Sequence, residues 1–164
     1  MASTASPYGF KPVNEVGGLP YAGSTRSFVL NPAGYGTNIF NGSLVYVATT
    51  GYLQLVTADG SDGTTNAFPA GTTLTGAVGV FVGCSYVNAQ GQTVFSQYYP
   101  ANSLNAVAFV VDDPNTVFQA QANGQLTIAD LGANVTLANA QSTSTGSTTT
   151  GNSNVALSST SKIG

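Results

Sequence analysis

Short apolar runs separated by turn residues fill the middle of this chain. From Ser27 to about Leu137 a turn signal recurs roughly every ten residues, the spacing of short strands in a sandwich or small barrel. Ser27–Leu30 closes at Asn31-Pro32. Thr37–Phe40 runs into Asn41-Gly42, a dipeptide that favours tight hairpins. Leu44–Ala48 and Tyr52–Val56 flank Thr49-Thr50-Gly51 and predict a second hairpin. Val78, Val80, Val82 and Cys84 alternate with Ala77, Gly79, Phe81 and Gly83. Both faces of that stretch are apolar or small, which predicts a central strand. Val94–Tyr99 stops at Pro100, and Ala106–Val111 stops at Asp112-Asp113-Pro114. Thr116–Ala122 and Gln125–Ala129 flank Asn123-Gly124, a further hairpin signal. Val135 and Leu137 alternate with Thr136. No window has a convincing amphipathic helical period; the room for a short helix is near Asn102–Ala106 or Ala129–Leu131.

The ends differ from the middle. In residues 1–26, Pro7, Pro12 and Pro20 remove backbone donors, and Gly9, Gly17, Gly18 and Gly23 break any periodicity. Tyr8, Phe10, Val13, Val16, Leu19 and Tyr21 are nonetheless spread through it, more apolar surface than a solvated linker needs. This predicts an extended N-terminal arm that lies on another surface. Residues 142–153 are Ser, Thr, Gly and Asn only, a flexible composition, and Asn154–Leu157 could add a last strand. The expected architecture is therefore mainly β: a small antiparallel β-barrel or sandwich over residues 27–138. The arm precedes it, and a flexible Ser/Thr-rich segment follows over residues 139–164.

Charge changes the picture most. Three basic and six acidic residues make 5% of the 164-residue chain, and there is no His. An ordinary soluble domain carries about 25% charged residues. With Lys11, Arg26 and Lys162 as the only bases, no cationic stripe can follow a phosphate backbone or an anionic membrane, so neither nucleic acid nor membrane is expected as a partner. The single Cys84 cannot form an internal disulfide, and a four-ligand zinc site has no material. The N-terminus lacks the basic and apolar regions of a signal peptide, which predicts synthesis in a cytoplasm without export.

Candidate chemistry is sparse. Asp59, Ser61 and Asp62 stand in a Gly-rich loop that could hold a cation, although Asp-Gly is first a turn dipeptide. Asp112 and Asp113 are adjacent carboxylates, but neighbours on a strand point to opposite faces, and Asp before Pro opens turns. Cys84 has no His partner and behaves as a small hydrophobe. Asn41-Gly42-Ser43 and Asn134-Val135-Thr136 match the glycosylation pattern, which without export is read as chance. Neither an enzyme nor a cofactor is expected.

No charge lies between Ser27 and Ala58, or between Gly63 and Val111. Isolated proteins guard edge strands with Lys or Pro; a chain that does not is expected to be covered by partners. Two segments carry a resemblance. Pro7-Tyr8-Gly9-Phe10-Lys11-Pro12-Val13, followed by Gly17-Gly18-Leu19-Pro20-Tyr21-Ala22-Gly23-Ser24-Thr25-Arg26, is one. Val110-Val111-Asp112-Asp113-Pro114-Asn115-Thr116-Val117-Phe118-Gln119-Ala120-Gln121 is the other. They resemble tailed-bacteriophage structural proteins of the capsid decoration, or cement, group. Thr150-Gly151-Asn152-Ser153 adds to the match weakly.

The resemblance implies a β-rich, commonly trimeric, non-enzymatic protein on the outside of an icosahedral shell, where it clamps neighbouring major capsid proteins. Tyr8, Phe10, Pro12, Pro20, Tyr21 and Arg26 are the expected partner contacts, with Arg26 seeking a carboxylate that could lie on the partner. The alternatives are a carbohydrate-binding or adhesive module of a fibre or spike, presenting a row of aromatics such as Tyr21, Tyr98 and Tyr99, or another virion part such as a connector or tail-tube subunit.

Overall fold

The computed structural model describes residues 6–56, 77–137 and 146–163. The Asp59, Ser61 and Asp62 loop lies outside the described residues. Ten strands follow one another: β1 (Lys11–Glu15), β2 (Arg26–Val29), β3 (Leu44–Val47), β4 (Leu53–Leu55), β5 (Ala77–Val87), β6 (Thr93–Ser96), β7 (Leu104–Val111), β8 (Thr116–Gln119), β9 (Asn134–Leu137) and β10 (Leu157–Ile163). All strand pairs are antiparallel. They form one six-stranded sheet, ordered β2-β7-β5-β3-β4 with β6 also on β5, and two two-stranded ribbons, β1-β8 and β9-β10. The mainly β, antiparallel expectation is met. A closed barrel is not: among the described residues the large sheet ends at β2 and β4.

The long central β5 organises this sheet. Val80 faces Leu44 on one edge and Val111 on the other, while Cys84–Val87 pair with β6. The register against β7 steps from Phe81↔Val110 to Gly83↔Phe109, so one extra residue is inserted at Val82. A bulge of this kind flips the alternation. Phe81 and Cys84, three apart in sequence, consequently enter the same core, with Val45, Leu53, Leu55, Ala106, Ala108 and Val110.

The β3–β4 hairpin forms as expected. Ala48 N–H donates to Tyr52 O, Gly51 N–H donates to Ala48 O, and Gly51 takes a left-handed φ of 81°. The other two hairpin signals act differently. Asn41-Gly42 does form a turn, with Ser43 N–H donating to Phe40 O. The strands on either side do not pair with each other: Ile39 exchanges hydrogen bonds with Tyr99, and Leu44 pairs with Val80. Asn123-Gly124 makes no hairpin. Asn123 instead accepts Ser159 N–H on its Oδ1 and donates its own N–H to Leu157 O. Gln125–Ala129 is not a strand, and Ile128–Asp130 is one turn of 3-10 helix.

Both ends pack against the body. β1 lies on β8, and Phe10 meets Phe118 edge to face at 6.4 Å. Phe10 N–H donates to Gly42 O, and Gly9 and Gly42 lie so close that a Cβ on Gly9 would sit 2.7 Å from Gly42 O. Both glycines have positive φ, so the contact needs glycine twice over. Residues 8–15 thus lie along the chain's own body, because β8 offers an edge that β1 satisfies. Part of the Ser/Thr-rich tail is likewise anchored: Asn152 bridges Asn41, and Ser153, Val155 and Ala156 are buried. The last strand begins at Leu157 rather than Asn154.

Tyr99 ties the irregular loops to the core. It is fully buried, and its phenol oxygen accepts Tyr35 N–H at 2.9 Å and donates to Ser103 O at 2.9 Å. Tyr35 in turn receives Leu55 N–H on its own phenol, which occupies the outer edge of β4. Tyr99→Phe leaves the part-buried Tyr35 N–H and Ser103 carbonyl without this partner and is expected to lower unfolding free energy by about 1–3 kcal/mol in urea titration. Tyr46→Phe, which removes only a bond to Gln54 Oε1, should cost about 0.5–1.5 kcal/mol.

Candidate partner-binding surface

The six-stranded sheet buries one face in the main core; on the other, Val80 and Val111 are covered, while the part formed by β2, β6 and the adjoining stretches of β5 and β7 stays partly exposed. Inward positions are Phe28, Cys84, Tyr86, Ala106, Ala108 and Val110. The period of two then sends Val29, Ser85, Val87, Phe95, Val107 and Phe109 outward. Register places Val29 opposite Val107, Val107 opposite Ser85, and Ser85 opposite Phe95, one row across four strands. Phe95 stacks on Phe109 with ring centroids 6.5 Å apart and is still 76% exposed; Val29 and Leu104 are exposed as well. No charged side chain stands among these residues. A contiguous apolar patch on one sheet face is uncommon on free-standing proteins and marks contact with a partner.

A second apolar projection comes from the N-terminal segment. Glu15 N–H donates to Leu19 O, Gly18 N–H to Glu15 O, and Tyr21 N–H to Val13 O, closing a hairpin over residues 13–21. Its tip, Val16-Gly17-Gly18-Leu19, exposes Val16 by 70% and Leu19 by 65%. Asn115 O accepts Val16 N–H, which fixes the hairpin to the turn before β8.

The six expected contact residues divide. Tyr8 and Phe10 come together at one cleft. Pro12 sits opposite Phe118 in the β1-β8 ribbon, and Pro20 bridges Asn14 within the hairpin. Tyr21 donates its hydroxyl to Ser24 O at 2.8 Å, and burial raises its pKa. Arg26 pairs with Asp112 of its own chain, Nε to Oδ2 at 3.0 Å, because β2 and β7 are neighbours that align these two ends. The carboxylate sought for Arg26 is thus internal. The apolar outer face was missed in the sequence, since nothing there told which face of β5–β7 would be covered. Of the aromatics offered as a sugar-stacking row, Tyr99 is buried and Tyr98 stacks on Phe40 at 5.5 Å.

The candidate chemical groups have structural explanations. Asp113 Oδ1 accepts Asn115 N–H and opens the turn Asp113-Pro114-Asn115-Thr116, as the sequence predicts. Asn41, in the first glycosylation pattern, is half-buried and donates its side-chain amide to Val82 O. Among the described residues no three His, Cys, Asp or Glu cluster where a metal could bind, and no helix is long and apolar enough to cross a membrane. Burial pushes the Cys84 thiol up to about 12, so it is neutral and unreactive at physiological pH.

The raised thiol pKa makes stability pH-dependent. An unfolded thiol ionises near its ordinary 9.0, whereas the buried one resists until about 12. Its stabilising contribution is complete below pH 9.0 and is lost as pH rises from there towards 12. Desolvation raises the pKa of Tyr35 and Tyr99, which act in the same sense. Urea midpoints are expected to fall between pH 9 and 11, and to fall less steeply in Cys84→Ala. Arg26→Ala should change stability by only about 0–1 kcal/mol at pH 7, because the Arg26 side chain is 70% exposed, although Asp112 is mostly covered.

No protein-family model, curated protein or solved structure matches the chain, and its functional reading rests on its own residues.

Proposed function

We propose that the protein is a structural component of a virion that decorates the outside of an icosahedral phage capsid. In this reading it is made in the bacterial host cytoplasm, assembles as a homotrimer, and bridges neighbouring major capsid proteins to reinforce the shell against internal pressure. It does no chemistry and needs no cofactor. The observation that carries the reading is the charge-free outer face of the large sheet, with Val29, Phe95, Val107 and Phe109 in one patch. Full burial of a Phe or Val side chain is worth about 1.5–3 kcal/mol, so two or three of these residues suffice to hold one contact. Many identical sites on a shell add avidity to each weak contact.

The leading segment supports the same reading in a modified form. Its resemblance to decoration proteins is carried by residues 7–13 and 17–26, which contain the expected contacts Tyr8, Phe10, Pro12, Pro20, Tyr21 and Arg26. Phe10 and Pro12 pack in the ribbon and Pro20 and Tyr21 in the hairpin whose tip, Val16 and Leu19, is exposed, whereas Arg26 stands in β2. In the proposed assembly the tip reaches a neighbouring protomer or capsid subunit, as the extended arm was expected to do.

Purified Phe95→Lys and Val16→Asp/Leu19→Asp variants, checked for native circular dichroism, test the proposal on undecorated shells. Occupancy is expected to fall at least about tenfold for each, the equivalent of about 1.4 kcal/mol per site. Light scattering of the free wild-type protein should give three times the chain mass. Unchanged occupancy of both variants would overturn the proposal.

A further inference from the structure

Two depressions meet at Tyr8, beside the bridge between Asn41 and Asn152. One, of about 690 Å³, is lined by Tyr8, Gln121, Asn123, Thr150 and Asn152. The other, of about 490 Å³, is lined by Tyr8, Phe10, Asn41, Gln97, Gln119 and Asn152, with Lys11 as its only charged group. Tyr8 and Asn152 belong to both, so they form one cleft with an aromatic residue at its middle.

The backbone around the cleft is committed to itself. Asn41 N–H donates to Gly151 O, Ser153 N–H to Asn41 O, Ser147 N–H to Asn152 O and Leu157 N–H to Gln121 O. An added peptide strand needs a free row of such groups. What faces the cleft instead is a set of carboxamides, several held at one end. Asn41 Nδ2 donates to Val82 O, and Gln97 Nε2 donates to Asn152 Oδ1 at 2.6 Å. Among the described residues this leaves Asn41 Oδ1 and Gln97 Oε1 as acceptors and Asn152 Nδ2 as a donor. Fixed acceptors and donors side by side match vicinal hydroxyls, each of which both gives and takes a hydrogen bond. Aromatic rings complement the C–H faces of sugars through the same negative ring face that other partners use.

We propose that this cleft binds an uncharged carbohydrate, with Asn41, Gln97 and Asn152 engaging hydroxyls and the Tyr8 ring covering one sugar face. A single Lys at the rim selects weakly for anions, and among the described residues no carboxylate lines the cleft to select for cations. The inference is independent of the virion reading: it holds whether or not the apolar sheet face binds a shell. It also differs from the exposed aromatic row expected from sequence, since neither Tyr98 nor Tyr99 takes part.

The test is a titration of the isotope-labelled full chain with maltohexaose, cellohexaose and chitohexaose, read by NMR, with a sulfated oligosaccharide and a Ser/Thr-rich peptide as comparison probes. At least one neutral hexasaccharide is expected to shift the side-chain amide signals of Asn41, Gln97 and Asn152 in a saturable way. Tyr8→Ala and Gln97→Ala should each weaken that binding about tenfold, whereas Gln90→Ala, in an exposed turn away from the cleft, leaves it unchanged. Gln97 is an exposed side chain, so Gln97→Ala keeps the test informative should Tyr8→Ala disturb the ribbon. No saturable shift with any neutral sugar, tighter binding of the peptide or the sulfated sugar, or wild-type affinity in both Tyr8→Ala and Gln97→Ala would overturn the proposal.

Discussion

The buried phenol of Tyr99 is the contact on which the rest of the structure depends. A β-rich chain with long irregular connections must find partners for the backbone groups of those connections once they cover the core. Tyr99 does this from the centre outward. Its backbone exchanges hydrogen bonds with Ile39, and its hydroxyl serves Tyr35 and Ser103 at once. Tyr35 passes the arrangement on by accepting Leu55 N–H at the outer edge of β4. One side chain thus fastens two loops and blunts one sheet edge without any charge.

The same economy of charge shapes the surface. A sheet covered on one side only normally turns polar or charged groups outward. Here β2, β5, β6 and β7 turn out Val29, Val87, Phe95, Val107 and Phe109 instead. The ion pair of Arg26 with Asp112 sits at the end of β2 rather than across that face. A protein that leaves such a face uncharged gives up the usual defence against association.

Glycine and amide residues take over work that charge and helix do elsewhere. Gly9 and Gly42 let the leading ribbon approach the body backbone to backbone. Asn41, Asn123 and Asn152 join segments far apart in sequence through side-chain and backbone bonds. The tail of the chain is therefore part of the fold, and the cleft at Tyr8 exists because both ends converge there.

Local pattern determined a good deal. Strands β2 to β9 are legible as alternating or fully apolar runs, because burial of one or both faces leaves a period that neighbours in sequence record. The turn at Asp113-Pro114 and the inert character of Cys84 were legible for the same local reason. Partner choice was not. Asn41-Gly42 and Asn123-Gly124 carry the residues of hairpins, yet each bonds to a distant segment, since a turn dipeptide states that the chain reverses and not which strands pair afterwards. The Val82 bulge, the pairing of β1 with β8, the docking of residues 152–158 and the internal partner of Arg26 are decided only by tertiary structure. Each depends on an edge or cavity that another part of the chain supplies, and sequence spacing carries no record of that.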